Sequence, residues 1–133
     1  MKILLLFKKS QKGQAIVEFI LILPIFLTLI LGAIDAGWLL FAKISTTAAA
    51  REAARAVSVL DSTQYATATT VANGKMTTVP GSETVSVSPS SYTEGAQVTV
   101  TVTTSVTPLV GFLPTSIIPN PATIQSEISI RLE

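Results

Sequence analysis

The chain has 133 residues, of which 48% are hydrophobic and 13% charged, against about 25% charged in an ordinary soluble domain. It contains no Cys and no His, which excludes disulfides, thiolate or imidazole metal sites, Cys nucleophiles and every catalytic triad built on an imidazole base. The formal net charge of +1 conceals an asymmetry: Lys2, Lys8, Lys9 and Lys12 precede the first apolar run with no acid among them, leaving five bases against eight acids in the remainder, so no nucleic-acid-binding surface is expected.

The eight acids stand singly, without the paired spacing that a carboxylate hydrolase needs, and no Gly-rich phosphate loop is present. An enzyme is therefore not expected, nor a small-molecule substrate, a cofactor or a metal. The apolar excess lies near the N-terminus. Residues 19–34, FILILPIFLTLILGAI, carry no charge and are bounded by Glu18 and Asp35. As a helix they span roughly 24 Å, short of the hydrocarbon thickness of about 30 Å. Counting residues 15–34 brings the helix to about 30 Å and places Glu18 just inside one edge. The upstream lysines set the N-terminus in the cytoplasm and everything after Asp35 outside, with Lys12 and Asp35 marking the membrane boundaries. A cleaved secretory signal fits less well, because its apolar core is shorter and the first alanine cluster, Ala48, Ala49 and Ala50, lies too far downstream. An uncleaved signal anchor, whose exported β-rich domain binds another surface component, is the competing reading.

The residues entering this run are Lys12-Gly13-Gln14-Ala15-Ile16-Val17-Glu18-Phe19. A short basic leader, a glycine, and a glutamate five residues on resemble the processing site of type IV pilin-like proteins. The longer string GQAIVEFILILPIFLTLILGAIDAG, followed by STTAAAREAARAV, resembles the TadE-like minor pilins or pseudopilins of the tight-adherence (Flp) pilus system. The resemblance implies a leader of residues 1–13 removed by a prepilin peptidase, with cleavage after Gly13 and Gln14 as the new first residue. It also implies subunit assembly through Glu18 and Phe19, and as partners the Tad/Flp pilus machinery, other pilin subunits through the N-terminal helix, and membrane lipid. The location it implies is a single pass through the inner membrane, with assembly into an extracellular pilus.

Beyond Asp35 the helical spacing persists. Trp38, Ala42, Ser45, Ala49, Ala53, Ala56 and Leu60 recur at three- and four-residue intervals, so one helix is expected over about residues 14–59, with a bend at Pro24. Its mostly small side chains let another backbone approach closely. Arg51, Glu52 and Arg55 read as solvated helix surface. Asp61, Ser62, Thr63 and Gln64 resemble a capping box and Asn73-Gly74 a helix stop, which brackets a short helix with Tyr65, Ala68, Val71 and Ala72 on one face.

From Pro80 onward valine, threonine and serine dominate, and six of the seven prolines lie at or beyond that point. Residues 83–88, 97–103 and 124–132 alternate apolar and polar and are expected as three antiparallel strands, with a turn at Tyr92-Thr93-Glu94-Gly95. Such a sheet has one apolar face, and the emergent helix is the only large element able to cover it. Residues 108–121 combine four prolines with six large apolar side chains; they fit neither helix nor strand and are expected to pack over the open end of the sheet or to meet a partner. The expected fold is α+β: a long N-terminal helix over residues 14–60, membrane-spanning in its first half, packed against an exported domain of residues 61–133.

Overall fold

A long first helix, α1, spans Gln11–Ser58, 48 residues or about 72 Å at the helical rise. The computed structural model describes residues 11–76 and 78–132, and residues 1–10 of the expected leader, with Lys2, Lys8 and Lys9, lie outside the described residues. The helix continues through Pro24, whose missing N–H removes one bond of the helical ladder. The Thr28 hydroxyl donates to the Pro24 carbonyl at 2.8 Å.

The helix divides into two halves by what surrounds it. Up to Ile34 nearly every side chain is exposed, large apolar ones included. From Asp35 onward one face is buried, comprising Asp35, Ala42, Thr46, Ala49, Ala50, Ala53, Ala54 and Val57, and Leu60 beyond the helix end continues it. The face expected from spacing is thus largely present, but Ser45 and Ala56 are only partly covered, and Thr46 and Val57 take the central positions. The reason is that α1 packs on two neighbours at once, the sheet on one side and a short helix on the other, so its buried arc is wider than a single stripe.

That short helix, α2, spans Ala68–Lys75 and follows a 3₁₀ turn, Tyr65–Thr67. Asp61 organises the entry. Its Oδ1 accepts from the Thr63 hydroxyl at 2.6 Å and from the Thr63 and Gln64 backbone N–H groups, both at 2.9 Å. Tyr65, Ala68 and Ala72 are buried and Val71 partly so, as the spacing predicts. The stop is displaced: Asn73 and Gly74 lie within α2, Gly74 does not take the left-handed conformation, and the chain leaves the helix only at Met76, which is extended.

The Thr63 hydroxyl and the two backbone donors hold the Asp61 carboxyl below its ordinary value of 3.8. A depressed folded pKa supplies stability that is fully present above the unfolded value and lost as pH falls through the folded one. Asp61→Asn is therefore expected to lower the melting temperature slightly at neutral pH and to make no difference once pH is well below 3.8. A melting difference between the two chains that is constant across this range would contradict the assignment.

Three strands complete the domain: β1 Ser82–Ser88, β2 Gln97–Val106 and β3 Ala122–Arg131. They form an antiparallel sheet in the order β1-β2-β3, with Val85 opposite Val102 and Val100 flanked by Val87 and Ile128. On β2 the inward residues Val98, Val100, Val102, Thr104 and Val106 are all fully or almost fully buried, while the alternate positions remain partly open. Each valine so buried is worth roughly 1.5–3 kcal/mol of hydrophobic stabilisation. Val98, Val100 and Val102 meet Ala50, Ala53, Ala54 and Val57 of α1 and Tyr65, Ala68 and Ala72 in one core.

The turn before β2 closes through the Ala96 N–H donating to the Thr93 carbonyl at 3.0 Å, with Gly95 at φ +72°. Gly81, at φ +111°, passes so close to β2 that a Cβ there would lie 2.2 Å from the Ser105 carbonyl oxygen. Only glycine fits where β1 begins.

Candidate functional site

The residues singled out by sequence lie along α1 in two groups, one at each end of the uncharged run. Gly13 is exposed, and a Cβ added there would meet nothing within 4 Å. Nothing in the packing of the described residues requires a glycine there. Gln14 and Glu18 are one turn apart, and the Gln14 Nε2 donates to Glu18 Oε1 at 3.2 Å. The carboxylate thus already meets a donor at residue 14. Phe19, 64% exposed, opens a helix surface on which Ile16, Val17, Ile20, Leu21, Ile22, Ile25 and Phe26 are exposed on all sides.

Asp35, at the far end of the run, is fully buried. Its Oδ1 accepts from the Val110 N–H at 2.8 Å and its Oδ2 from the Gly111 N–H at 3.1 Å. Two successive N–H groups converging on one carboxylate form a concave anion seat, and Gly111, at φ +64°, takes the left-handed conformation there. One turn earlier, Gly32 leaves room for the loop: a Cβ there would lie 3.3 Å from Leu113 Cδ1. One turn later, the Trp38 Nε1 donates to the Thr107 carbonyl at 3.2 Å. Gly32, Asp35 and Trp38, spaced by three, therefore form a single seat for residues 107–113. The Pro-rich loop is anchored on α1 rather than folded over the end of the sheet.

Two further polar contacts lock the C-terminal half of α1 to the sheet. The Thr46 hydroxyl donates to the Ala42 carbonyl at 2.8 Å and lies 3.0 Å from the Thr104 hydroxyl, with both residues fully buried. The Lys43 ammonium donates to the Gln125 carbonyl of β3. Among the described residues no buried side-chain polar atom lacks a partner and no group of acids is placed to hold a metal.

Sequence reading did not find the seat. As a bare sequence Asp35 reads as a boundary marker, although Asp35, Ala42 and Ala49 repeat every seven residues and so share the buried face. An acid in register with a buried stripe signals a polar group that some distant backbone must satisfy.

Residues 13–55 match the family of TadE-like proteins. The chain carries a TadE-like segment. The match begins at the glycine of the expected cleavage site and ends three residues short of the end of α1. The TadE-like segment thus comprises the uncharged run, the Asp35 seat and most of the face that covers the sheet. No curated protein and no solved structure matches the chain. The long apolar helix at the N-terminus is of the length and composition that cross a membrane, which fits a single-pass membrane protein.

Proposed function

We propose that the chain is a structural pilin-like subunit, a TadE-like minor pilin or pseudopilin that serves assembly of a Tad/Flp-type pilus. The observation that carries the reading is the TadE-like match over residues 13–55, which coincides with the exposed apolar half of α1 and its docking face. In this reading α1 inserts with residues 15–34 in the inner membrane, N-terminus inside, and the α+β domain is exported. A prepilin peptidase cuts after Gly13, releasing a leader of residues 1–13 and leaving Gln14 as the first residue. Glu18 and Phe19 then engage neighbouring subunits, with the Tad pilus machinery as partner.

Gly13 supports the peptidase assignment on physical grounds. A glycine at which an added Cβ would meet nothing within 4 Å among the described residues is explained by an enzyme that needs the residue before the cut to be small. Gly13→Leu is expected to leave the helix intact and the protein membrane-inserted, because a leucine side chain there meets open space, while abolishing cleavage in cells that carry the peptidase. Intact-mass measurement of the purified protein reads the outcome. A mature mass beginning at Gln14 for the natural chain and a full-length precursor for the variant is the expected pair. A full-length natural chain in its own host would favour the signal-anchor reading instead.

A further inference from the structure

We infer that the loop of residues 108–121 is a second membrane-contacting element, seated in the outer headgroup and acyl boundary beside α1, so that the exported domain rests on the lipid surface; the inference rests on the reading of residues 15–34 as a membrane span.

Depth is the first argument. Twenty residues ending at Ile34 span about 30 Å, so the outer edge of the hydrocarbon falls at Ile34 and Asp35. The loop docks at that level, with Val110 and Gly111 on Asp35 and Leu113 against Gly32, just inside it. The second argument is composition. No charged residue lies between Glu94 and Glu127, and the loop leaves Leu109 63%, Phe112 56% and Ile117 65% exposed. Large apolar side chains left open on a loop ask for a non-aqueous neighbour, and lipid is the neighbour already adjoining the exposed face of α1 at Ile30 and Ile34.

Backbone chemistry sets the seat at the hydrated headgroup boundary rather than deeper, because in the hydrocarbon core every N–H group needs a protein partner and only four of this loop have one among the described residues. Pro108, Pro114, Pro119 and Pro121 carry no N–H. Val110 and Gly111 donate to Asp35, and Ile117 and Ile118 both donate to the Pro114 carbonyl, at 2.9 and 3.2 Å. The Trp38 indole, bonded to Thr107 at the base of the loop, stands at the depth where amphipathic aromatic rings collect at membrane interfaces.

The absence of Cys makes a direct test practicable. The full chain, reconstituted in phosphatidylcholine/phosphatidylglycerol vesicles, would carry one environment-sensitive fluorophore at a time, through Phe112→Cys, Ile117→Cys, Ile25→Cys or Ser86→Cys. Quenching by lipids spin-labelled near the glycerol, by lipids spin-labelled near the bilayer centre, and by aqueous iodide reports depth. The proposal expects the shallow lipid to quench positions 112 and 117 most, the deep lipid position 25, and iodide position 86 alone. Iodide quenching at 112 and 117 equal to that at 86, with position 25 still deep, overturns the loop proposal and leaves the membrane span standing. Positions 112 and 117 shielded from lipid and iodide alike also overturn it, in favour of contact with a second copy of the chain. Position 25 open to iodide removes the membrane span itself, and the loop proposal with it.

Discussion

Enlarging Ala53 to leucine is expected to destabilise the α+β domain by about 1–3 kcal/mol or more, a large part of the stability of so small a unit. Ala53 is fully buried in the core shared by α1, the sheet and α2. The helix packs against β2 and β3 on one side and α2 on the other, so added methyl groups have no open direction into which to relax. Ala50, Ala54 and Val57 already occupy the neighbouring positions. Ala48→Leu makes the same chemical change on the same helix at an exposed position and should alter stability by less than about 0.5 kcal/mol. Leucine and alanine differ little in helix propensity, so the contrast isolates packing. Trp38 is the single tryptophan and its indole is bonded to Thr107 at the end of β2; its fluorescence during denaturant unfolding in detergent micelles reads both variants. Equal midpoints for the two would remove the claim that close approach of α1 to the sheet requires small side chains.

Replacing Glu18 by alanine is expected to leave insertion and cleavage nearly normal while incorporation into sheared filaments, or into the complex at their base, falls at least about tenfold, the factor supplied by about 1.4 kcal/mol of subunit contact. An acid in a membrane helix is costly, at about 2.5–3.5 kcal/mol for Asp at the bilayer centre and less near an edge. In the uncut chain the carboxylate is met by the Gln14 side-chain amide, one turn away. On the proposed reading, cleavage after Gly13 converts residue 14 into the N-terminus and places an ammonium at the same reach, in the same chain or from an adjacent subunit. Pairing between subunits penalises every register but one, which explains a charge that insertion alone disfavours. Glu18→Asp, which keeps the charge and shortens its reach, should be partly competent. Alanine variants that enter filaments as well as the natural chain would leave Glu18 as a group at the membrane edge with no part in assembly.

Local pattern carried much of the architecture. A run of twenty mostly apolar residues favours a helix long enough to cross a membrane, and α1 is that helix. Strict alternation on residues 97–103 determined which side of β2 faces inward, because a strand has period two and any slip would bury the threonines instead. Asp61 with Thr63 and Gln64 likewise marked a turn, since these bonds join neighbours in sequence, but a 3₁₀ turn follows it and α2 begins only at Ala68, with no side-chain cap.

What tertiary structure alone decided are the contacts made across long separations. The exact arc of α1 that is buried, with Thr46 and Val57 in place of Ser45 and Ala56, depends on having two neighbours rather than one. β2 runs beyond the expected end to Val106 because its backbone stays paired with β1 and β3, and Thr104 there meets the hydroxyl of Thr46, 58 residues earlier. The loop of residues 108–121 has no period to read, and its place is set by a carboxylate 75 residues upstream that satisfies the Val110 backbone and, beside it, that of Gly111. Periodicity reports which side of an element is apolar, whereas a hydrogen bond between distant residues leaves no periodic trace. The sequence by itself therefore determined the helix, the strands and their inward faces, and only the folded chain decided that Gly32, Asp35 and Trp38 hold the loop against α1.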